Sequence, residues 1–498
     1  MAQKFIYYFS RRALLGLLAA GLASPGLAKA PNSSLRPVAR PKAGVKPRRP
    51  NADQLVEAAG LTGTAAFAVA DVSSGKLLES RGATALMPPA SVAKVITGLY
   101  ALQTLGSEHV FRTSLYTNGV VEGDVLKGDL ILVGGGDPVL SSDDLSQLAS
   151  DLKARGIRGV KGRFLVYGKA LPFVERIDDA QPDHVGYNPS VSGMILNFNR
   201  VHFEWRRASG RYSLKMDART RRIQPAVASA TMVVADRGAP VYGYRQSGGI
   251  DQWSVARGAL GGGGARWLPV RNPEVYAGEV FRTIARSHGV LVPKAQVSKT
   301  RPAGKVVAQH SSPPLSVIVR DMLKFSTNVT AEAVGMAATV ARKGQVSSHK
   351  SSAREMSQWA ARKYGTKAKF VDHSGLGDSS RVTAQDMVTT LVAAHGSGFG
   401  ELLKSIPMRN ADNKIIPNSP LKVRAKTGTL NFVSGLGGYL TAPGGRTQAF
   451  AIFTADVPRR KSIPKSDREK PRGAKTWNGR SKKLQQALLR RWGAVYGS

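Results

Sequence analysis

The 498-residue chain is long enough for a large core, and its 42% hydrophobic content is ordinary for a globular protein. It has no cysteine, which excludes a disulfide framework, a thiol nucleophile and a lipid-modified cysteine anchor. More than half of its formal charge of +39 sits at the two ends, where residues 1–50 hold ten Lys/Arg and no acid, and residues 457–498 hold 13 Lys/Arg against Asp467 and Glu469. Such blocks predict solvated basic tails drawn to anionic surfaces, rather than a patch that reads nucleic acid.

Residues 1–30 have the order of an export signal. Lys4, Arg11 and Arg12 precede an apolar run over 13–23, and Ala28-Lys29-Ala30 offers small residues for cleavage. Ser10-Arg11-Arg12-Ala13-Leu14-Leu15 resembles a twin-arginine signal, which predicts a periplasmic protein exported in folded form. The apolar run is too short to span a bilayer, so no transmembrane span is expected in the mature chain. Residues 31–50 follow as a basic, proline-rich linker.

Strand-like segments at 65–71 and 76–79 flank a predicted turn over 72–75. Pro88-Pro89 then stop any earlier helix. Past them, Val92, Val95, Ile96, Leu99 and Leu102 mark one apolar helical stripe, which Leu105-Gly106 ends. Ser91 and Lys94 are three residues apart at the start of this helix and project from one face. A serine hydroxyl is a poor nucleophile until a base takes its proton, and a desolvated lysine is such a base.

Residues 115–298 read as a mainly β insertion, with short runs at 126–133, 163–167, 194–205, 228–236 and 279–284. The last run equally suits a helix through His288. The glycine run at 261–264 lacks a following lysine, so no phosphate loop is expected. Helices predicted over 315–325 and 329–342 meet at Ser326. Strands follow at 423–426, 432–440 and 448–457, and a helix over 481–496 carries Leu484, Leu488, Trp492 and Val495 on one stripe. The expected organisation is therefore a signal (1–30), a linker (31–50), a catalytic domain in two parts (51–114 and 299–498) and the insertion.

Ser-x-x-Lys alone is weak, since Ser73/Lys76, Ser347/Lys350 and Ser462/Lys465 repeat it. Its company is more specific. Ser326-Thr327-Asn328 is the only S-x-N in the chain and Lys426-Thr427-Gly428 the only K-T-G. Both follow Ser91 in the order found in penicillin-recognising serine enzymes. Taken singly, a K-T-G at a strand end is ordinary turn chemistry, and Ser or Asn at a helix start is an ordinary cap. The eight histidines form no H-E-x-x-H pair, and neither metal nor cofactor is expected.

With these motifs placed, residues 51–498 resemble the class C low-molecular-mass penicillin-binding proteins, the D-alanyl-D-alanine carboxypeptidases/endopeptidases. Lys127-Gly128-Asp129-Leu130 with Gly136-Asp137-Pro138 resembles the opening of that family's inserted domain. Asp372-His373-Ser374-Gly375-Leu376 resembles its D-G-S-G-L segment. The likeness implies an α/β (α+β) fold: a β-lactamase/transpeptidase-like catalytic domain interrupted by a large, mainly β insertion. It also implies peptidoglycan stem peptides as substrates, covalent capture of β-lactams, and roles for the matched residues. Ser91 is the expected nucleophile and Lys94 its base, with burial and the charge of Lys426 lowering the lysine's affinity for its proton. Ser326 is the expected proton relay and Asn328 the residue that orients Lys94 and the substrate amide. Lys426, Thr427, Gly428 and Thr429 form the expected carboxylate-binding strand, with an oxyanion hole from the Ser91 and Thr429 N–H groups. Asp129 and Asp137 are expected to anchor turns, and Ser374-Gly375 to be structural. Relatives that grip a diaminopimelate side chain look to use an inserted-domain aspartate and an arginine after S-G-L. Here those places hold Gly168 and Gly377-Asp378, with Arg381 the nearest arginine. A β-lactamase-like hydrolase and a non-catalytic wall-binding protein are the competing expectations, and an anionic envelope surface is a candidate partner.

Overall fold

The computed structural model describes residues 50–301 and 303–498; the expected signal and all of the expected linker but Pro50 lie outside them. Residues 50–498 form one compact unit. Its centre is a six-stranded antiparallel sheet of β1 (Thr64–Asp71), β2 (Leu77–Arg81), β3 (Lys404–Ser405), β4 (Lys422–Leu430), β5 (Val433–Thr441) and β6 (Thr447–Ala455), in the order β3-β4-β5-β6-β1-β2.

Period-two alternation divides the core between the two faces of this sheet. Ala66, Ala68 and Ala70 of β1, which follows the short helix α1 (Ala52–Ala58), pack toward α2 (Lys94–Leu105), α3 (Leu315–Phe325), α4 (Asn328–Lys343), α5 (His349–Tyr364) and α6 (Ala384–Ala394). Phe67 and Val69 face the other way, onto Leu484, Leu488, Leu489 and Trp492 of α7 (Ala474–Val495). The predicted helix over 481–496 thus begins seven residues earlier. Gly473, at φ 81°, starts it, and Trp477 seats its first turns against Phe432 and Ile463.

Residues 112–311 make a long excursion closed by its own ends. Strand Arg112–Thr117 pairs antiparallel with Lys305–Ser311, in a five-stranded sheet covered by helices Ser142–Ala154 and Pro273–Ser287. Three three-stranded sheets complete it. The 279–284 run lies inside the Pro273–Ser287 helix, and the predicted 194–205 strand starts only at Arg200, after a left-handed turn in which Asn197, Phe198 and Asn199 have φ 50°, 60° and 50°. Asp129 joins separate segments rather than anchoring its own turn, accepting from Arg163 N at 2.7 Å and Asn118 Nδ2 at 3.3 Å, whereas Asp137 anchors a local turn by accepting from Val139 N at 2.9 Å. Leu171, Val174, Ile177, Val191 and Ile195 pack on Val329, Ala333 and Met336, fixing the excursion against α4.

The basic C-terminal segment corrects the expectation of a solvated tail. Arg460 is 8% exposed and ion-paired with Asp378, while Glu469 joins Arg266 at 2.8 Å and His184 at 2.7 Å in the excursion. Sequence does not show this because the partners, Asp378, Arg266 and His184, lie far from the segment in the chain.

Candidate active site

Three elements converge on Ser91. It sits in a 3₁₀ turn, Ala90–Ala93, that runs directly into α2. Ala90 has φ 46°, a left-handed conformation that turns the chain sharply before the serine. Gly375 comes so close to this turn that a Cβ there would lie 1.9 Å from the Ala90 carbonyl oxygen. Gly428 faces Ser91 from β4, and a Cβ on it would lie 3.1 Å from the Ser91 nitrogen. K-T-G therefore sits within β4 rather than at a strand end, and its glycine makes room for the nucleophile turn.

Lys94 is fully buried, with Nζ 3.0 Å from Ser91 Oγ, 2.7 Å from Asn328 Oδ1 and 2.7 Å from the Ser374 carbonyl oxygen. A neutral amine has two N–H donors and one lone pair. The amide oxygen and the carbonyl accept the two donors, which leaves the lone pair aimed at the Ser91 hydroxyl. Burial pulls the Lys94 pKa down to about 7, against the opposing charges of Asp372 and Glu332. Burial is one of the two causes expected from sequence; the other, the charge of Lys426, is not among the causes that act on Lys94, and the two acids were not expected.

Ser326 ends α3 at φ 62°, and its Oγ accepts from Lys426 Nζ at 2.9 Å. Lys426 is 1% exposed, and burial first and then the charge of Lys94 hold its pKa well below the usual lysine range. The two lysines are thus neighbours in one buried cluster. Asn328 begins α4, and its Nδ2 donates to the Tyr187 carbonyl at 2.9 Å. β3 pairs with β4 only at Arg424 and Ala425, so the outer edge of β4 from Lys426 to Leu430 has no strand partner among the described residues. Thr427 and Thr429 are exposed along it, placed for an extended peptide to add there.

All eight residues singled out in the sequence lie in this cluster or along the adjoining edge of β4. Sequence reasoning missed the Ser374 carbonyl as a direct partner of Lys94, and it missed Glu332 and Asp372. One signal was available for Glu332: it falls one turn after Asn328 on a helix whose neighbouring positions are apolar. Gly168 also has an unforeseen neighbour, since a Cβ there would lie 2.1 Å from Glu274 Oε1. A carboxylate thus fills the space where an inserted-domain aspartate was sought. Arg381 Nη1 donates to the carbonyls of Asp378 and Ser380 at 2.7 and 2.8 Å.

A half-buried serine beside a buried lysine at the start of a helix, next to an open strand edge, is the arrangement of a serine acyltransferase or hydrolase of the penicillin-recognising type. The sequence profile of the D-Ala-D-Ala carboxypeptidase 3 (S13) family matches residues 50–470. The chain belongs to that family, whose activity is that of a serine-type carboxypeptidase. It is 26% identical to a D-alanyl-D-alanine carboxypeptidase of Actinomadura sp. (strain R39), over 86% of this chain and 83% of that one. It is 23% identical to D-alanyl-D-alanine carboxypeptidase DacB of Haemophilus influenzae, over 78% and 84%. The crystal structure of penicillin binding protein 4 (dacB) from Haemophilus influenzae superposes with a TM-score of 0.68, at 19% identity, over 89% of this chain and 99% of that one. That likeness establishes the shared fold.

Proposed function

We propose that Ser91 is the acylated nucleophile of a D-Ala-D-Ala carboxypeptidase that also opens D-configured peptide cross-links. Ser91 Oγ attacks the carbonyl of the penultimate D-alanine while its proton passes to Lys94. The C–N bond breaks, and Ser326 relays that proton to the departing amine. Asn328 holds Lys94 and the substrate amide, and Lys426 with the Thr427 and Thr429 hydroxyls receives the terminal carboxylate. The N–H groups of Ser91 and Thr429 stabilise the oxyanion, where one donor is typically worth about 10²–10³ in rate. Water then hydrolyses the ester, and a β-lactam acylates the same serine.

The observation that carries this reading is the set of acceptors around Lys94 Nζ, which leaves one lone pair for Ser91. We also take residues 112–311 as the inserted domain, because its end strands pair with each other. Action on peptidoglycan implies a position outside the cytoplasm, and the Arg11-Arg12 signal favours the periplasm. None of the described helices is long and apolar enough to cross a membrane. Lys475, Lys482 and Lys483 are exposed on α7 with no acid among them, so an anionic envelope surface is a fitting partner. The test is D-alanine release from a peptide ending D-Ala-D-Ala. Wild type should release it and folded Ser91→Ala should not; equal release by both would refute the assignment.

A further inference from the structure

Two buried acids with no part in bond-making lie directly behind Lys94. Asp372 is 1% exposed and Glu332 is fully buried. Asp372 Oδ1 accepts from Gly375 N at 2.6 Å, and its Oδ2 from Gly377 N at 2.6 Å. Glu332 Oε1 accepts from Ser374 N at 2.9 Å, and both its oxygens accept from His373 N at 3.1 Å. The peptide unit joining Ser374 to Gly375 is therefore gripped at both ends. Its N–H is held by Asp372, and its carbonyl receives Lys94 Nζ at 2.7 Å. A carboxylate on the N–H side polarises the carbonyl on the other, and such chains strengthen where the dielectric is low. Glu332 fixes the preceding peptide, so the carbonyl cannot rotate away.

We infer that Asp372 and Glu332 are positioning residues for Lys94, acting through the Ser374–Gly375 peptide to aim its lone pair at Ser91 and to set the pH at which it becomes a base. The inference rests on the reading of Lys94 as that base. The charged groups around Lys94 are these two acids and Lys426, whose own proton affinity the charge of Lys94 lowers. His373 backs the same loop, but burial holds its pKa down to about 3, so it brings no charge near neutral pH. Burial raises both acids, and the charge of Asp372 raises Glu332 further.

The sign follows directly. The backbone N–H groups held by each acid oppose the rise caused by burial and favour its carboxylate form, which in turn favours the ammonium form of Lys94, so removing either acid should let Lys94 lose its proton at lower pH. The experiment is the pH profile of acylation by a fluorescent penicillin, for wild type, Asp372→Asn, Glu332→Gln and the charge-retaining Glu332→Asp. Asp372→Asn should move the acidic limb down by about one pH unit, a tenfold change in the proton equilibrium. Glu332→Gln should move it the same way, and Glu332→Asp should keep the wild-type limb even at a reduced rate. Variants that acylate with an unmoved limb, at any rate, would overturn the inference and leave the base assignment standing. If neither neutral variant folds, the acids serve stability alone and the inference also fails. The base assignment fails separately, if Lys94→Arg acylates like wild type.

Discussion

Lys94 Nζ and Asn328 Oδ1 meet at 2.7 Å although 234 residues separate them. The contact joins the start of α2 to the start of α4, with the whole 112–311 excursion lying between them in sequence. It fixes the amine at a fully buried position where a lysine can act as a base.

Replacement of each lysine by arginine should separate their roles. A guanidinium stays protonated and cannot accept the Ser91 proton, so Lys94→Arg should lower acylation by at least about 10³-fold, the scale of general-base catalysis. Lys426→Arg keeps a cation for the substrate carboxylate and should be the milder change, read mainly in KM. Rates of penicillin acylation and of D-Ala-D-Ala hydrolysis, measured side by side, distinguish the two. Normal acylation by Lys94→Arg would place the base elsewhere.

The pH dependence follows from the burial of Lys94, which pulls its pKa down to about 7. The reaction needs the neutral amine, so acylation should rise with pH through about 7 and level off above it. Below that point it should fall about tenfold per unit. A profile already flat at pH 5.5 would mean that the reacting base is not Lys94.

His373 stands where the resembling motif has glycine, and α4 accommodates it at Gly335. A Cβ on Gly335 would lie 2.2 Å from His373 Nδ1, while His373 Nε2 is 2.7 Å from Ser352 Oγ. Gly335→Ala should therefore cost about 1–3 kcal/mol of stability, the usual range for overpacking a core. In a His373→Gly background the same change should cost almost nothing, because the ring it strikes is gone. Equal costs in the two backgrounds, measured by denaturant unfolding, would show that the two sites do not couple.

Selection of the stem-peptide side chain should be modest. Arg381 spends two donor contacts on carbonyls of its own loop, and the carboxylate beside Gly168 comes from Glu274, whose pKa burial raises. We expect kcat/KM to favour a free diaminopimelate-type side chain over plain lysine by less than roughly a hundredfold, about 2.7 kcal/mol. Glu274→Gln should remove most of the preference that exists. A larger preference, unaffected by Glu274→Gln, would mean that another pocket does the selecting.

The site was legible in the sequence because its parts are local motifs with fixed spacing. Ser91 and Lys94 share a helix face, Ser326 and Asn328 bracket a helix corner, and Lys426 to Thr429 line a strand edge. The β1–β2 hairpin and strands β4 to β6 were legible through their apolar patterning and turn residues. The partners of Lys94 from the 372–377 loop were not, because a backbone carbonyl has no sequence signature. Asp372 was legible only as part of the segment resembling D-G-S-G-L, without a role, and Glu332 belongs to no motif. The Ser142–Ala154 helix escaped notice although its Ser141 cap and Asp144 form a capping box that the sequence contains. The C-terminal cations looked solvated because Asp378 and His184, which hold that segment, lie far from it in the chain.

The most direct test of the account is to find where penicillin is attached. After reaction of folded enzyme with a labelled penicillin and proteolysis, peptide mass analysis should find one adduct, on Ser91, and none in Ser91→Ala. An adduct on another residue, or undiminished labelling of Ser91→Ala, would contradict it.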